Sequence, residues 1–224
     1  MIVKVCGLSD GENIKEVIKA GADWIGMIFW PQSPRFVSMI RSYAGILPDR
    51  GSLNAAAQSK DIRRVGVFVD EMAQNIITRV VNYNLDFIQL HGNEGMTLID
   101  NLRNTLVPSI RKELGIIKTI SISAPEDFRR CDDYEEGIDY FLFDTKCAEK
   151  GGCGRKFEWQ WLNEYRGRRP FLISGGIGPD DVEAVKAITH PLCYGVDINS
   201  KFETSPGIKD AEAVRQFIQT INNR

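Results

Sequence analysis

Phe171-Leu-Ile-Ser-Gly-Gly-Ile-Gly-Pro179 and Tyr194-Gly-Val-Asp-Ile-Asn-Ser200 decide how the rest of the chain is read. Each starts as a short apolar run, as a buried parallel strand does, and ends in small residues where a strand turns into a helix. Gly175 and Gly176 put no Cβ between the backbone and a ligand. Pro179 suits the first turn of a following helix, and Asp180 and Asp181 suit its positive end. Asn199 and Ser200 bring short side chains and backbone N–H groups to the end of the second run. Two such loops side by side cradle one phosphate, and in a βα barrel that cradle follows strands seven and eight. Gly175, Gly176, Asn199 and Ser200 are therefore the candidate phosphate-binding residues.

Outward from these segments the same rhythm repeats. Apolar runs at 2–5, 23–29, 65–69, 86–90, 116–122 and 139–143 read as six further strands. Helices are expected from a Ser9 or Asp10 cap to Ala20 with Gly21 as the stop, over 38–47, and from an Asp70 cap to 82. Others are expected over 94–104, from Ser123-Ala-Pro-Glu126, over 158–165, over 180–189 and over 210–221. Residues 48–61 read as a mobile, solvated surface loop, not a domain boundary, because the alternation resumes directly. Eight strands alternating with helices predict an α/β protein, a single (β/α)8 TIM-barrel domain spanning 1–224. A doubly wound open sheet is the competing architecture, and it lacks support from any early dinucleotide fingerprint.

At 224 residues the chain can bury one sizeable core but not comfortably two. A net charge of −2 points to no nucleic acid and no anionic membrane as partner. No apolar run is long enough to span a bilayer, and the first strand begins at once, with no signal-peptide pattern. Five cysteines at irregular spacing (Cys6, Cys131, Cys147, Cys153 and Cys193) read as free thiols in a reducing cytoplasm. Cys147 and Cys153 lack the spacing and the second ligand pair of a zinc site, and His91 and His190 are isolated, so no metal is expected.

In a βα barrel, chemistry sits where strands end on the C-terminal side. Cys6 ends the first strand there, Asp144 the sixth, and Asp197 lies on the eighth. Alternation turns Val3 and Val5 outward, Lys4 and Cys6 inward, and gives Gln89 and His91 a shared face. An acid and a base flanking a tethered sugar phosphate form a layout for isomerisation by proton transfer.

Lys4-Val-Cys-Gly7, Ser33-Pro-Arg-Phe-Val37, Gly66-Val-Phe-Val69, Gln89-Leu-His-Gly92 and Phe143-Asp-Thr145 follow one another in this order. So do Gly151-Gly-Cys-Gly154, Phe157-Glu-Trp159, Ser174-Gly-Gly176, Gly195-Val-Asp197 and Pro206-Gly-Ile-Lys-Asp210. On these segments the chain resembles the phosphoribosylanthranilate isomerases of tryptophan biosynthesis over nearly its whole length. The resemblance implies an Amadori rearrangement of N-(5-phosphoribosyl)anthranilate with Asp144 as general acid, Cys6 as general base and no metal or organic cofactor. It implies that Arg35 holds the anthranilate end, that Gln89 and His91 line the floor, and that Asp197 supplies a charge beside Asp144 or positions a sugar hydroxyl. It also makes the 151–154 loop a lid, and leaves a monomer or homodimer open. Lys4 points the same way as Cys6 and is expected to lower its pKa.

Two positions depart from the family pattern. Lys201 stands where a glycine is common, so either the backbone avoids positive φ there or strain is tolerated, or its ammonium adds to phosphate binding. Cys153 stands where threonine is usual. Rival readings are another phosphosugar barrel and a non-catalytic barrel that senses a phosphorylated ligand. An indole-3-glycerol-phosphate synthase would want a lysine acid–base pair and an N-terminal extension, and a histidine-pathway isomerase an aspartate in place of Cys6.

Overall fold

The computed structural model describes residues 1–38, 62–107, 110–145 and 156–222, and in it the eight apolar runs are parallel strands that close on themselves in chain order. They are β1 (Ile2–Val5), β2 (Trp24–Ile28), β3 (Arg63–Phe68), β4 (Phe87–Leu90), β5 (Gly115–Ile122), β6 (Tyr140–Thr145), β7 (Phe171–Ile173) and β8 (Cys193–Ile198). The last strand returns to the first, with Ile2 opposite Gly195 and Val5 opposite Ile198. Closure leaves the eight-stranded sheet without an edge, so the (β/α)8 barrel expected from the alternation is the fold. The expected helix at 38–47, the loop at 48–61 and the 151–154 lid, with Cys147 and Cys153, lie outside the described residues.

Outward-facing strand residues pack on the helices. Val3, Val5, Val196 and Ile198 are wholly buried in one cluster with Ile14, Val17 and Ile18 of α1 (Gly11–Lys19). The same cluster takes in Val214, Phe217, Ile218 and Ile221. Those four come from the helix that closes the chain. Between the sequence's two candidate caps for α1, Asp10 is the one used: its Oδ1 accepts from Asn13 N at 2.8 Å.

A second, smaller cluster fills the barrel's interior at the strands' starting ends. It comprises Trp24, Val65, Ile117, Leu142 and Leu172, with Ile2, Phe87 and Tyr140 against them. Trp24 stacks on Phe87 with ring centroids 4.4 Å apart and meets Tyr140 edge-on at 5.4 Å. This aromatic floor plugs the barrel and leaves its opposite end for polar side chains.

Several local expectations are corrected. Asp70 does not cap a helix: α2 (Ala73–Asn82) starts after Met72, which makes no side-chain cap. Asp70 sits at φ 49° and its Oδ1 instead takes the N–H of Asn93 at 2.6 Å, tying the loop after β3 to the loop after β4. The helix expected from Glu94 begins two residues later, as α3 (Met96–Leu106), because Glu94 turns inward to a buried lysine. The helices expected after β5 and β6 do form there, wound as 3-10 helices over Pro125–Cys131 and Trp159–Glu164. The helix expected over 180–189 is shortened to a 3-10 turn, Pro179–Asp181, followed by α4 (Val182–Lys186). After β8 comes a hairpin the sequence reading did not anticipate, β9 (Glu203–Ser205) with β10 (Ile208–Lys209), and then α5 (Ala211–Asn222). No helix among the described residues is long and apolar enough to cross a membrane.

Candidate active site

At the C-terminal mouth, β1 and β8 contribute a buried charged pair and a thiol. Lys4 Nζ donates to Asp197 Oδ1 at 2.8 Å, with side chains 0% and 5% exposed. The register explains the meeting, since Lys4 and Asp197 are direct partners across β1 and β8. Ser174, at the end of β7, donates its hydroxyl to the other carboxylate oxygen at 3.4 Å. Cys6 lies one turn of the pleat above Lys4, its backbone N–H bonded to Ile198 O at 2.9 Å. The thiol fits over Gly26 of β2, where a methyl group would stand 2.9 Å from Sγ.

Burial pushes the Cys6 thiol up from its ordinary value. Lys4 is the strongest influence in the other direction, Asp197 adds to the rise, and Lys209 opposes it. The expected effect of Lys4 is therefore present, yet desolvation outweighs it. Burial is also the largest influence on Lys4, but the attraction of Asp197 and Cys6 exceeds it, so the ammonium is held more firmly than usual. The Asp197 carboxyl is pushed up by burial, against Lys4 and with Asp144 adding to the rise. Asp197 thus couples electrically to both candidate catalytic groups, across a ring in which β7 and β8 separate β6 from β1.

The carboxyl side is built from a histidine, an amide and a hydroxyl. Asp144 Oδ2 stands 3.3 Å from Nε2 of His91, which follows β4 directly. Gln89, 1% exposed on the same strand face, places Nε2 3.0 Å from His91 Nδ1 and 3.3 Å from Thr119 Oγ1. With Gln89 donating to Nδ1, a neutral His91 carries its proton on Nε2, toward Asp144. Behind them Lys118 and Glu94, each 1% exposed, pair at 2.8 Å. Glu94 also accepts from the backbone N–H groups of Asp70 and Gly92, and Lys118 donates to Gly92 O. That network fixes the loop that carries His91.

The small-residue loops meet the carboxyl. Gly175 and Gly176 take φ of 93° and 66°, which only glycine adopts without strain. A Cβ on Gly175 would lie 2.5 Å from Thr145 Oγ1 and 2.8 Å from Asp144 Oδ1, so the same glycine turn that reads as a phosphate cradle walls in Asp144. Gly178 N–H is already taken by Asp181 Oδ2 at 2.7 Å, and Asp181 pairs with Lys156. The loops after β7 and β8 run close together, since a Cβ on Gly178 would stand 3.5 Å from Lys201 Cβ. Lys201 occupies a 3-10 turn, Ser200–Phe202, and is not among the residues with positive φ, so the glycine of the family pattern is not required there. Ser200 is exposed, and the Asn199 side chain is engaged, its Oδ1 accepting from Lys209 Nζ at 2.6 Å.

Arg35 comes to the same mouth from the loop after β2. Gly7, at φ 77°, makes room for it: a Cβ there would stand 2.7 Å from Arg35 Cδ and 2.6 Å from Asn199 Oδ1. Its guanidinium is gripped by Glu203, Nε to Oε1 at 2.8 Å and Nη2 to Oε2 at 2.7 Å. Sequence reasoning did not single out Glu203, Lys209, Thr119 or Ser174. For Glu203 and Lys209 the available signal was the pair of opposite charges flanking Pro206-Gly207, which a hairpin brings face to face.

The comparisons follow this geometry. The family model described as N-(5'phosphoribosyl)anthranilate (PRA) isomerase matches residues 3–220. The N-(5'-phosphoribosyl)anthranilate isomerase of Phocaeicola vulgatus is 40% identical over 224 residues, covering 100% of this chain and 99% of its own. Among solved structures, phosphoribosyl anthranilate isomerase from Thermotoga maritima superposes with a TM-score of 0.78 at 29% identity, covering 100% of both chains. A phosphoribosyl anthranilate isomerase in complex with reduced 1-(o-carboxyphenylamino)-1-deoxyribulose 5-phosphate gives 0.74 at 27% identity, again covering 100% of both chains.

Proposed function

The chain belongs to the N-(5'-phosphoribosyl)anthranilate isomerase family and is an isomerase of tryptophan biosynthesis; from that premise we propose that Cys6 is its general base and Asp144 its general acid. Asp144 gives its proton to the ribose ring oxygen, the C1′–O bond breaks, and the nitrogen lone pair forms a protonated Schiff base. The Cys6 thiolate then takes the proton from C2′, and the electrons of that C–H bond flow to the nitrogen as the enolamine forms. Tautomerisation of the enolamine gives the ketone, so the substrate's own nitrogen is the electron acceptor.

The observation that carries this reading is the shared wall at the mouth. The glycine turn that would receive the phosphate touches Asp144 on one side, and Asp197 couples that carboxyl to Cys6 on the other. A substrate pinned at Gly175, Gly176, Asn199 and Ser200 lies between acid and base, where positioning itself lowers the barrier. His91 orients the Asp144 carboxyl, with Gln89 setting its tautomer from below. Asp197 holds Lys4 in reach of the thiolate, and Arg35 meets the anthranilate carboxylate, which a planar guanidinium suits.

A thiol pushed up by burial is a strong base once ionised, but little of it is ionised at neutrality. The reading therefore expects the rate to climb as pH rises toward the thiol's own value. Loss of substrate fluorescence with purified protein tests the assignment directly. Tight binding of the reduced product analogue by Cys6→Ser and Asp144→Asn, with turnover near background, supports both roles. Turnover in either variant equal to that of the native chain removes that residue from the mechanism.

A further inference from the structure

We propose that Glu203 is a positioning residue for specificity: it grips Arg35 along one edge of the guanidinium, and Lys209 fixes Glu203 through Oε1, so that Arg35 meets the ring carboxylate in a preset orientation. This rests on the assignment of Arg35 to that carboxylate. Glu203 is engaged on both oxygens. Oε1 accepts from Arg35 Nε at 2.8 Å, from Lys209 Nζ at 2.6 Å and from Gly207 N at 3.2 Å, while Oε2 accepts from Arg35 Nη2 at 2.7 Å. The three side chains are nearly removed from water, at 11% exposed for Arg35, 6% for Glu203 and 0% for Lys209.

The geometry comes from the hairpin after β8. Glu203 and Lys209 are direct partners across β9 and β10. The hairpin is anchored to α1, where buried Asn13 accepts from Lys209 N at 2.7 Å and donates to Lys209 O at 2.8 Å. Arg35, by contrast, stands on a loop, and a long arginine left to itself loses rotamer freedom on meeting a ligand. A guanidinium held along its Nε–Nη2 edge still presents the adjacent Nη1–Nη2 edge, in the planar geometry a carboxylate accepts in two parallel bonds. Two cations, Arg35 and Lys209, face one anion, Glu203, so the trio carries one surplus positive charge at the mouth, which favours an anionic ring substituent.

The test measures kcat and KM for the native chain, Arg35→Ala, Glu203→Gln, Glu203→Asp and the Arg35→Ala/Glu203→Gln double variant. Two substrates are used: the anthranilate N-glycoside of ribose 5-phosphate, and the same glycoside of aniline, which lacks the carboxylate. Glu203→Gln is expected to raise KM for the carboxylated substrate roughly tenfold, and to change the aniline KM by less than about twofold. In the Arg35→Ala background it should add nothing further. An effect through Lys209 on Cys6 would instead alter turnover of both substrates alike. Glu203→Asp keeps a charge for Lys209 but is too short to hold both guanidinium nitrogens, so it carries the test if Glu203→Gln does not fold. Equal KM changes on both substrates, or none, while Arg35→Ala keeps its carboxylate-specific defect, would overturn the clamp and leave Arg35 in place. An unchanged KM in Arg35→Ala would remove Arg35 from the site, and the clamp with it.

Discussion

The two ends of the barrel interior solve opposite problems with the same strands. At the starting ends, Trp24, Phe87, Tyr140 and their aliphatic neighbours fill the space with rings and branched side chains. At the finishing ends the same alternating positions carry Lys4, Cys6, Gln89, Asp144 and Asp197. One end returns hydrophobic free energy. The other costs desolvation, which is tolerable because the buried cations described at and beside the mouth are paired: Asp197 with Lys4, Glu203 with Lys209 and, on the outer strand face, Glu94 with Lys118. The contrast teaches that stability and chemistry are stacked along one axis and so can be perturbed separately.

The largest test of that separation is at the mouth. Cys6→Ser and Asp144→Asn should each lower turnover by about 10² to 10⁴-fold while urea unfolding midpoints stay near native. A fall in both together would mean these residues serve the fold. At the floor the expectation reverses. Trp24→Ala should cost about 3–5 kcal/mol in urea unfolding, with kcat of the folded fraction unchanged. A specific loss of activity in that variant would show that the floor reaches the site.

The charged pair supplies a test by pH. Because Lys4 opposes the rise that burial imposes on Cys6, Lys4→Met should move the alkylation-versus-pH curve of that thiol to still higher pH. A curve that stays put, or moves down, would show that Lys4 serves only Asp197. Glu203 gives a stability counterpart. Burial is the largest influence on its carboxyl and acts upward, but Arg35 and Lys209 together hold it below the usual range. A depressed carboxylate stabilises the fold above its unfolded value and loses that contribution as pH falls through its folded value. The Glu203→Gln chain should therefore lose less stability than the native chain between mildly and strongly acid solution, measured as the change in melting temperature across that window. The smallest effect is expected at Lys201, which is exposed and needs no positive φ. Lys201→Gly should alter stability by no more than about 1 kcal/mol, from backbone entropy alone, and a larger KM shift would reveal a phosphate contact.

The strands and the residues that face inward were legible because period-two alternation in a closed barrel has one inside and one outside. Once Val3 and Val5 are outward, Lys4 and Cys6 must be inward, and so they are. The helix starts were read less well. Asp70 has the composition of a cap, but a competing acceptor was needed by Asn93 and the chain used it there. Glu94 was read as a helix residue, yet a buried Lys118 on another strand claimed it.

Read alone, the chain of residues determined the barrel and its inward set, and put Cys6 and Asp144 at strand ends, because those follow from local periodicity and strand order. Tertiary structure alone decided that Glu203 grips Arg35, that Gly175 walls in Asp144, and that burial outweighs Lys4 at the thiol. Each of those is a balance between groups far apart in sequence, set by distance and exclusion of water, and neither quantity is written in the order of the residues.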